Sequence, residues 1–290
     1  MTKILITGSK GQLGQALMGV AMRFPECAIV GYDVDKLDVL DVDAVYGGAK
    51  SQGAEVMINC AAYTAVDKAE VEADEAYLLN AKAVEGLTKV CGQLNMLMIH
   101  LSTDFVFDGL ASAPYTERDQ PRPLSVYGAS KLAGEAFVLK YGRGVVVRTS
   151  WLYALHGHNF MSSILRLGAE RDVIEVVNDQ IGSPTYAPHL AEALLQMVGQ
   201  IGRSQEPDSL MGLYHFSNSG SCARFEFAQK IKEVARFKAR IEPVPSWTYP
   251  TAAPRPAYSA LNCEKVARNF GFRLRLWEEG LNDYFNEMRG

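Results

Sequence analysis

The sequence predicts an α/β fold, a doubly wound parallel sheet carrying a smaller C-terminal lobe, and three observations carry that expectation. Short apolar runs alternate with longer amphipathic stretches through the first half of the chain, the rhythm of β-α-β units. A glycine-rich turn follows the first apolar run, where a strand hands over to a helix. Beyond Arg148 the rhythm becomes irregular and a proline-rich passage appears, as expected where a regular sheet gives way to a separate lobe.

Strands are expected at residues 4–6, 28–30, 56–58, 97–99 and 145–147, because uninterrupted apolar triplets suit strands covered on both faces. Helices are expected at 12–22, 43–52, 72–94 and 127–141, each long enough to cross over between parallel strands. Later come helices at 160–170 and 188–201, a strand at 213–216, and helices at 224–235 and 277–288. Between the last two, Pro243, Pro245, Pro250, Pro254 and Pro256 fix φ and read as an ordered loop wrapping a ligand or a domain edge. The expected division is a dinucleotide-binding domain over 1–150 with a return around 171–220, and a substrate-binding lobe from 151–170 and 221–290.

Composition narrows the function classes. The 290 residues are 48% hydrophobic and 21% charged with a net charge of −4, so a sizeable core is expected and long disorder is not. No basic run exists to form the electrostatic footprint of nucleic-acid binding. Cys27, Cys60, Cys91, Cys222 and Cys263 are scattered, odd in number and without a C-x-x-C pair, which fits a reducing compartment. The first apolar run is too short for a signal core or a membrane span, so a cytoplasmic, untethered protein is expected. His156-Gly157-His158 offers two alternating histidines without a third ligand, a loop pattern rather than a metal site, and no catalytic metal is expected.

Gly8-Ser9-Lys10-Gly11-Gln12-Leu13-Gly14 spaces its glycines G-x-x-G-x-x-G at the first β-α junction. Glycine is needed there for the tight turn, for close approach of a pyrophosphate and for helix–sheet packing. Free amides and the dipole of the helix N-terminus then face the phosphates, Gln12 and Leu13 among them. Asp33 ends the second strand, about twenty residues on, where a carboxylate accepts hydrogen bonds from an adenosine ribose. That favours NAD, whereas Lys10 would favour a 2′-phosphate, so NADPH and NADH both stay open. Asp38 and Val39, with Ala61, Ala62 and Tyr63 after the third strand, are expected to flank the adenine and the middle of the cofactor.

Tyr127 and Lys131 lie four apart at the head of an expected helix and so share one face. A phenol is a poor acid at neutral pH, and bringing it there needs about 4 kcal/mol. One ammonium about 4 Å away at an effective dielectric of ~20 supplies roughly that much. The pair is therefore expected to act as proton donor and tuner, with Lys131 also holding the nicotinamide ribose. Ser102-Thr103-Asp104 follows the fourth strand, at the carboxyl edge where such sheets bind ligands. A hydroxyl there, Thr103 or Ser102, can polarise a substrate oxygen.

The glycine loop, Ser102-Thr103-Asp104, Tyr127-Gly-Ala-Ser-Lys131 and Arg148-Thr-Ser-Trp-Leu-Tyr153 resemble the extended short-chain dehydrogenase/reductases, whose fold is Rossmann-like. More narrowly, Asn59 through Glu70, Asn178-Asp-Gln-Ile-Gly-Ser-Pro-Thr185, Gly212-Leu-Tyr-His215 and Arg255-Pro256 resemble the dTDP-4-dehydrorhamnose reductase family, over nearly the whole chain. The resemblance implies reduction of the C4 ketone of dTDP-4-dehydro-6-deoxy-L-mannose to dTDP-L-rhamnose, with Tyr127, Lys131 and Thr103 catalytic. It implies that Thr103, Asp104 and Trp151 contact the sugar nucleotide, and Arg255 has the fork that suits a diphosphate. Some members of that family bridge two subunits through metal-bound carboxylates. Here Gly14-Gln15-Ala16 and Tyr186-Ala187-Pro188-His189 lack them, and a monomer or homodimer is expected. Two rivals remain: a nucleotide-sugar epimerase or dehydratase of the same superfamily, and a non-catalytic NADP-binding regulatory subunit similar to the methionine adenosyltransferase β subunit. Retention of both Tyr127 and Lys131 weighs against the second.

Overall fold

The computed structural model describes residues 1–289. Its first half runs β1 (Thr2–Thr7), α1 (Gln12–Val20), β2 (Cys27–Tyr32), α2 (Val42–Gln52), β3 (Val56–Asn59), α3 (Ala73–Tyr77), α4 (Ala83–Leu94), β4 (Leu97–Thr103), α5 (Val126–Tyr141) and β5 (Gly144–Thr149). The second half continues β6 (Leu152–Tyr153), α6 (Phe160–Glu170), β7 (Val173–Val177), β8 (Ile181–Gly182), β9 (Thr185–Tyr186), α7 (Ala187–Arg203) and β10 (Gly212–His215). It ends with β11 (Cys222–Ala223), α8 (Arg224–Ala235), β12 (Arg240–Val244), α9 (Glu264–Phe270) and α10 (Trp277–Arg289).

Six parallel strands form the main sheet in the order β10-β5-β4-β3-β1-β2. Alternation of side chains assigns each face its own core. Ile4, Ile6, Ile58, Ile99 and Val147 face α1 and α7, whereas Leu5, Met57, Met98 and Val146 face α2 and α4. Both sets are buried, which is why these strands read as continuous apolar runs rather than alternating ones. The strand order reverses between β1 and β3, so their carboxyl ends open a crevice at the switch point.

Three expectations need correction. Residues 72–94 are not one helix: a π-helical turn, Leu78–Lys82, separates α3 from α4. Within that turn the Asn80 amide donates to the Tyr63 carbonyl at 3.0 Å and to Ser130 Oγ at 3.0 Å, while its oxygen accepts from the Tyr63 amide at 2.8 Å. The return to the main sheet is narrower than 171–220, because β7 pairs instead with β12 in a separate two-stranded sheet. Only α7 and β10 rejoin the large sheet, and α9, expected in the lobe, contributes Val266 and Phe270 to the main core. Pro243 belongs to strand β12 rather than to a loop. It is tolerated because β12 pairs on one side only.

The second core gathers Tyr153, Met161, Ile174, Phe227, Trp277 and Phe285 from β6, α6, β7, α8 and α10. Its aromatic rings meet at tilted and edge-on angles, such as Phe227 on Trp277 at 5.7 Å and 90°, the geometry ring quadrupoles favour. Among the described residues no helix is long and apolar enough to cross a membrane.

Candidate active site

A cleft of about 470 Å³ lies at the carboxyl ends of β1, β3, β4 and β5 and is lined from the other side by Trp151, Arg224 and Arg255. Gly8 turns the chain off β1 at φ +68°, and a methyl there would come within 2.6 Å of the Ala61 amide nitrogen. A methyl on Gly14 would stand 2.4 Å from the Gly8 carbonyl oxygen. Gly11 caps α1 without a side-chain hydrogen bond, and the first turn holds no acid. The first amides of α1 thus keep their donors free toward the cleft, which Gly11, Gln12, Leu13 and Gly14 line, an arrangement suited to an anionic group.

The other residues expected at the cofactor divide. Asp33 accepts from the Lys10 amide at 2.8 Å and the Val34 amide at 3.0 Å, so it fastens the glycine loop to the end of β2. Lys10 pairs with Asp35 at 2.9 Å. Ala62 lines the cleft, and Ala61 forms the backbone wall against Gly8. Tyr63 turns away, its hydroxyl bonded to Glu72. Asp38 accepts from the Leu40 amide at 2.9 Å in a local turn, and Val39 is buried in the α2-side core. Neither side chain lines the cleft.

The catalytic helix is pinned at its start. Ser125 accepts from the Gly128 amide at 3.2 Å as N-cap, a contact of about 1 kcal/mol. Glu70 accepts from the Val126 amide at 2.8 Å. Gly128 and Gly134 let α5 lie against backbone, since added methyls would come within 2.2 Å of the Phe105 oxygen and 2.1 Å of the Asn80 oxygen. Helix α5 therefore places Tyr127 and Lys131 on the cleft floor beside Thr103 and Asp104 of the β4 end.

Burial pushes the Tyr127 phenol up to about 12; a hydrogen bond with Thr103 opposes this, and the Asp104 charge adds to it. Phe105 covers one side, edge-on at 5.7 Å. Lys131 lines the same cleft, and its Nζ donates to the Leu101 carbonyl at 2.6 Å. Burial pushes it down to about 8, against the raising influence of Glu135 and Cys60. Burial likewise raises the Asp104 carboxyl to about 6, and its Oδ2 has no hydrogen-bond partner. Beneath them Glu135 and Arg148 form a bidentate ion pair at 2.8 and 2.6 Å that Ser102 joins through its hydroxyl. Both hydroxyls line the cleft: Ser102 is bound into the floor through Glu135, whereas Thr103 donates to Asp104 Oδ1 at 3.2 Å.

The facing wall has different chemistry. Trp151 adopts φ +45°, a left-handed conformation costing a bulky residue about 1–3 kcal/mol. Gly182 makes room for its indole, since a methyl there would lie 2.4 Å from the ring. The Arg224 guanidinium sits over that ring at 3.7 Å, an attractive cation–π contact. Arg255 lines the cleft but is already engaged, pairing with both Asp67 oxygens at 3.0 and 2.7 Å. A second hollow of about 520 Å³ continues past Trp151 and Arg224 toward Phe160 and Gln180. His156 and His158 lie on an exposed loop, and no group of three or more metal-ligating side chains occurs among the described residues.

Sequence reasoning passed over Arg224, Asp67, Glu70 and His100. Two carried a signal. Arg224 opens a helix, where the dipole disfavours a cation, and His100 interrupts an apolar strand that is buried throughout.

A family model described as the RmlD substrate binding domain matches residues 1–289. The chain is 37% identical to a dTDP-4-dehydrorhamnose reductase of Aggregatibacter actinomycetemcomitans over 98% of each chain. A dTDP-4-dehydrorhamnose reductase of Bacillus anthracis, solved in complex with NADP, superposes with a TM-score of 0.93 at 39% identity, covering 99% of this chain and all of that one. The corresponding structure from Clostridium acetobutylicum gives 0.92 at 34% identity over the full length of both. The chain therefore belongs to the family of the RmlD substrate binding domain.

Proposed function

We propose that the chain is an NADPH- or NADH-dependent reductase that converts the C4 ketone of dTDP-4-dehydro-6-deoxy-L-mannose to the alcohol of dTDP-L-rhamnose, the last step of dTDP-L-rhamnose synthesis. The observation that carries this reading is the convergence of Thr103, Tyr127 and Lys131 on the floor of one cleft, in a family whose relatives bear the reductase name. Gly11, Gln12, Leu13 and Gly14 would hold the cofactor diphosphate on the free amides of α1, with Ala62 beside it. The fit is supported by the close glycine approach, which leaves no room for a side chain. When bound, the reduced nicotinamide supplies the hydride.

The chain's own residues do the rest. Tyr127 gives its phenolic proton to the C4 oxygen as negative charge develops there. At about 12 the phenol is fully protonated at neutral pH, as a donor must be. Thr103 donates a second hydrogen bond to the same oxygen, stabilising the charge in a dry site. Lys131 holds the cofactor ribose and brings a positive charge near the phenolate that remains, favouring proton release. Asp104 and Trp151 face the deoxysugar. Arg224 and Arg255 present guanidinium groups where the diphosphate would run.

The two-lobed division supports this assignment: the large sheet with α7 and β10 would carry the cofactor, and the second core the sugar nucleotide. All five cysteines are unpaired, which supports a cytoplasmic setting. The protein would act as a monomer or homodimer.

The reading is tested by incubating the chain with dTDP-4-dehydro-6-deoxy-L-mannose and NADPH or NADH and following the absorbance of the reduced cofactor. One cofactor oxidised per ketone consumed is expected. An epimerase or dehydratase would give a changed sugar with no net cofactor oxidation, and a regulatory subunit would give neither.

A further inference from the structure

The floor of the cleft contains a buried polar chain that the mechanism does not use. Thr7 of β1 donates its hydroxyl to Asn59 Oδ1 at 2.7 Å, and the Ala61 backbone amide donates to the same oxygen at 3.1 Å. A backbone N–H can only donate, so that atom of Asn59 is the carbonyl oxygen and the amide orientation is settled. The Asn59 NH2 group must then face His100, and it lies 3.0 Å from Nδ1. Nδ1 therefore accepts. A neutral imidazole carries one proton, which is left to Nε2, 3.5 Å from Lys131 Nζ. An ammonium offers donors alone, so His100 presents a donor where a charged lysine needs an acceptor.

We propose that Thr7, Asn59 and His100 form a tautomer lock that sets the proton affinity of Lys131. His100 is a positioning residue: it acts on Lys131 and not on substrate. Two consequences follow. The Nε2–H dipole opposes the ammonium, so Lys131 loses its proton more readily than it would beside an acceptor. No proton passes from Lys131 into the interior either, because Nε2 is filled and the Nδ1 lone pair is taken; a proton that restores Tyr127 must arrive from the cleft side.

The surroundings agree. Burial and the neighbouring Lys131 hold His100 well below its ordinary range, so it stays neutral. Lys131 is faced by Glu135 of α5, by Cys60 after β3, and by the Leu101 carbonyl and His100 of β4. Of these Glu135 is the one carboxyl, and both its oxygens are held by Arg148 of β5. From the strand side Lys131 meets the Leu101 carbonyl, which takes one of its protons, and His100, the one strand-side neighbour that can titrate.

The proposal rests on the reductase reading only for what Lys131 does; the lock itself is read without substrate. Nitrogen-15 spectra of histidine-labelled native chain, assigned with His100→Gln, are expected to show His100 neutral with its proton on Nε2 across the neutral range. A proton on Nδ1, or a charged ring, would overturn the lock. Asn59→Asp replaces the donating amide with an acceptor, which should move the proton to Nδ1 and turn Nε2 toward Lys131 as acceptor. The alkaline limb of kcat is then expected to rise by about one pH unit, the size an added favourable partner gives. A limb that stays in place while the proton moves would overturn the coupling to Lys131. If Asn59→Asp does not fold, the native spectrum still decides the lock. A chain that shows the Nε2–H tautomer but oxidises no cofactor would remove the reductase reading and leave the lock standing.

Discussion

The two walls of the cleft are built by different physics. The floor, from β1, β3, β4, β5 and α5, is dry: Thr103, Asp104, Lys131, Glu135 and Arg148 are all buried, and their positions follow from backbone contacts and glycines that admit no side chain. The facing wall, from Trp151, Arg224 and Arg255, is half-open and held by a cation–π stack and an ion pair with Asp67. Buried polar groups lose stability when one partner is removed. Groups at a wet wall give up binding instead. The floor should therefore fail in chemistry or folding, and the wall in affinity.

The largest effect should come at the floor. Tyr127→Phe is expected to lower turnover roughly 100- to 10,000-fold while cofactor affinity, read by titration, changes little. A loss confined to binding would erase the contrast between the walls. Glu135→Gln leaves the Arg148 charge unmatched in the dry floor, and denaturant unfolding should show a loss of about 3–5 kcal/mol. Arg255→Met, at the other wall, should cost less than about 1 kcal/mol in the same experiment.

Asp104 adds a pH dependence. Its carboxyl is held at about 6 in the folded chain against an ordinary 3.8, so the folded state binds the proton more tightly than the unfolded one. That stability is fully present below the ordinary value and is lost as pH rises through about 6. Asp104→Asn should flatten this window and stabilise the chain above it by on the order of 2–3 kcal/mol; melting curves across the acid range check it. An unchanged profile would mean that another group carries the dependence. At the wall, Arg224→Met should raise KM about tenfold with kcat unchanged, as a lost cation–π and diphosphate contact would. A fall in kcat instead would move Arg224 from the wall to the floor.

The same contrast explains what the sequence made legible. The floor depends on local pattern: a glycine triplet at a β-α junction, a hydroxyl after a strand, and a Tyr-x-x-x-Lys spacing each report their own place. The wall depends on meetings between distant segments, such as Asp67 with Arg255 across 188 positions and Arg224 with Trp151. No periodicity encodes those. The second sheet was missed for the same reason, since β7 and β12 are short, one-sided and far apart in the chain. The π-helical turn was missed because the helical pattern runs unbroken through it, while the contacts of Asn80 there are to Tyr63 and Ser130, distant in the chain. At the site itself, α5 brings Tyr127 and Lys131 to one cleft. The lysine is drawn to the Leu101 carbonyl, a backbone partner no sequence pattern reveals.

The central claim is that a hydride reaches C4 of the sugar while Tyr127 protonates the oxygen. It is tested most directly by supplying reduced cofactor deuterated at its transferring carbon in ordinary water and locating the label in the product. The account predicts one deuterium on C4 of the dTDP-linked 6-deoxysugar for the native chain, and product formation sharply slowed for Tyr127→Phe. A product without deuterium at C4, or folded native chain that forms none, would contradict it.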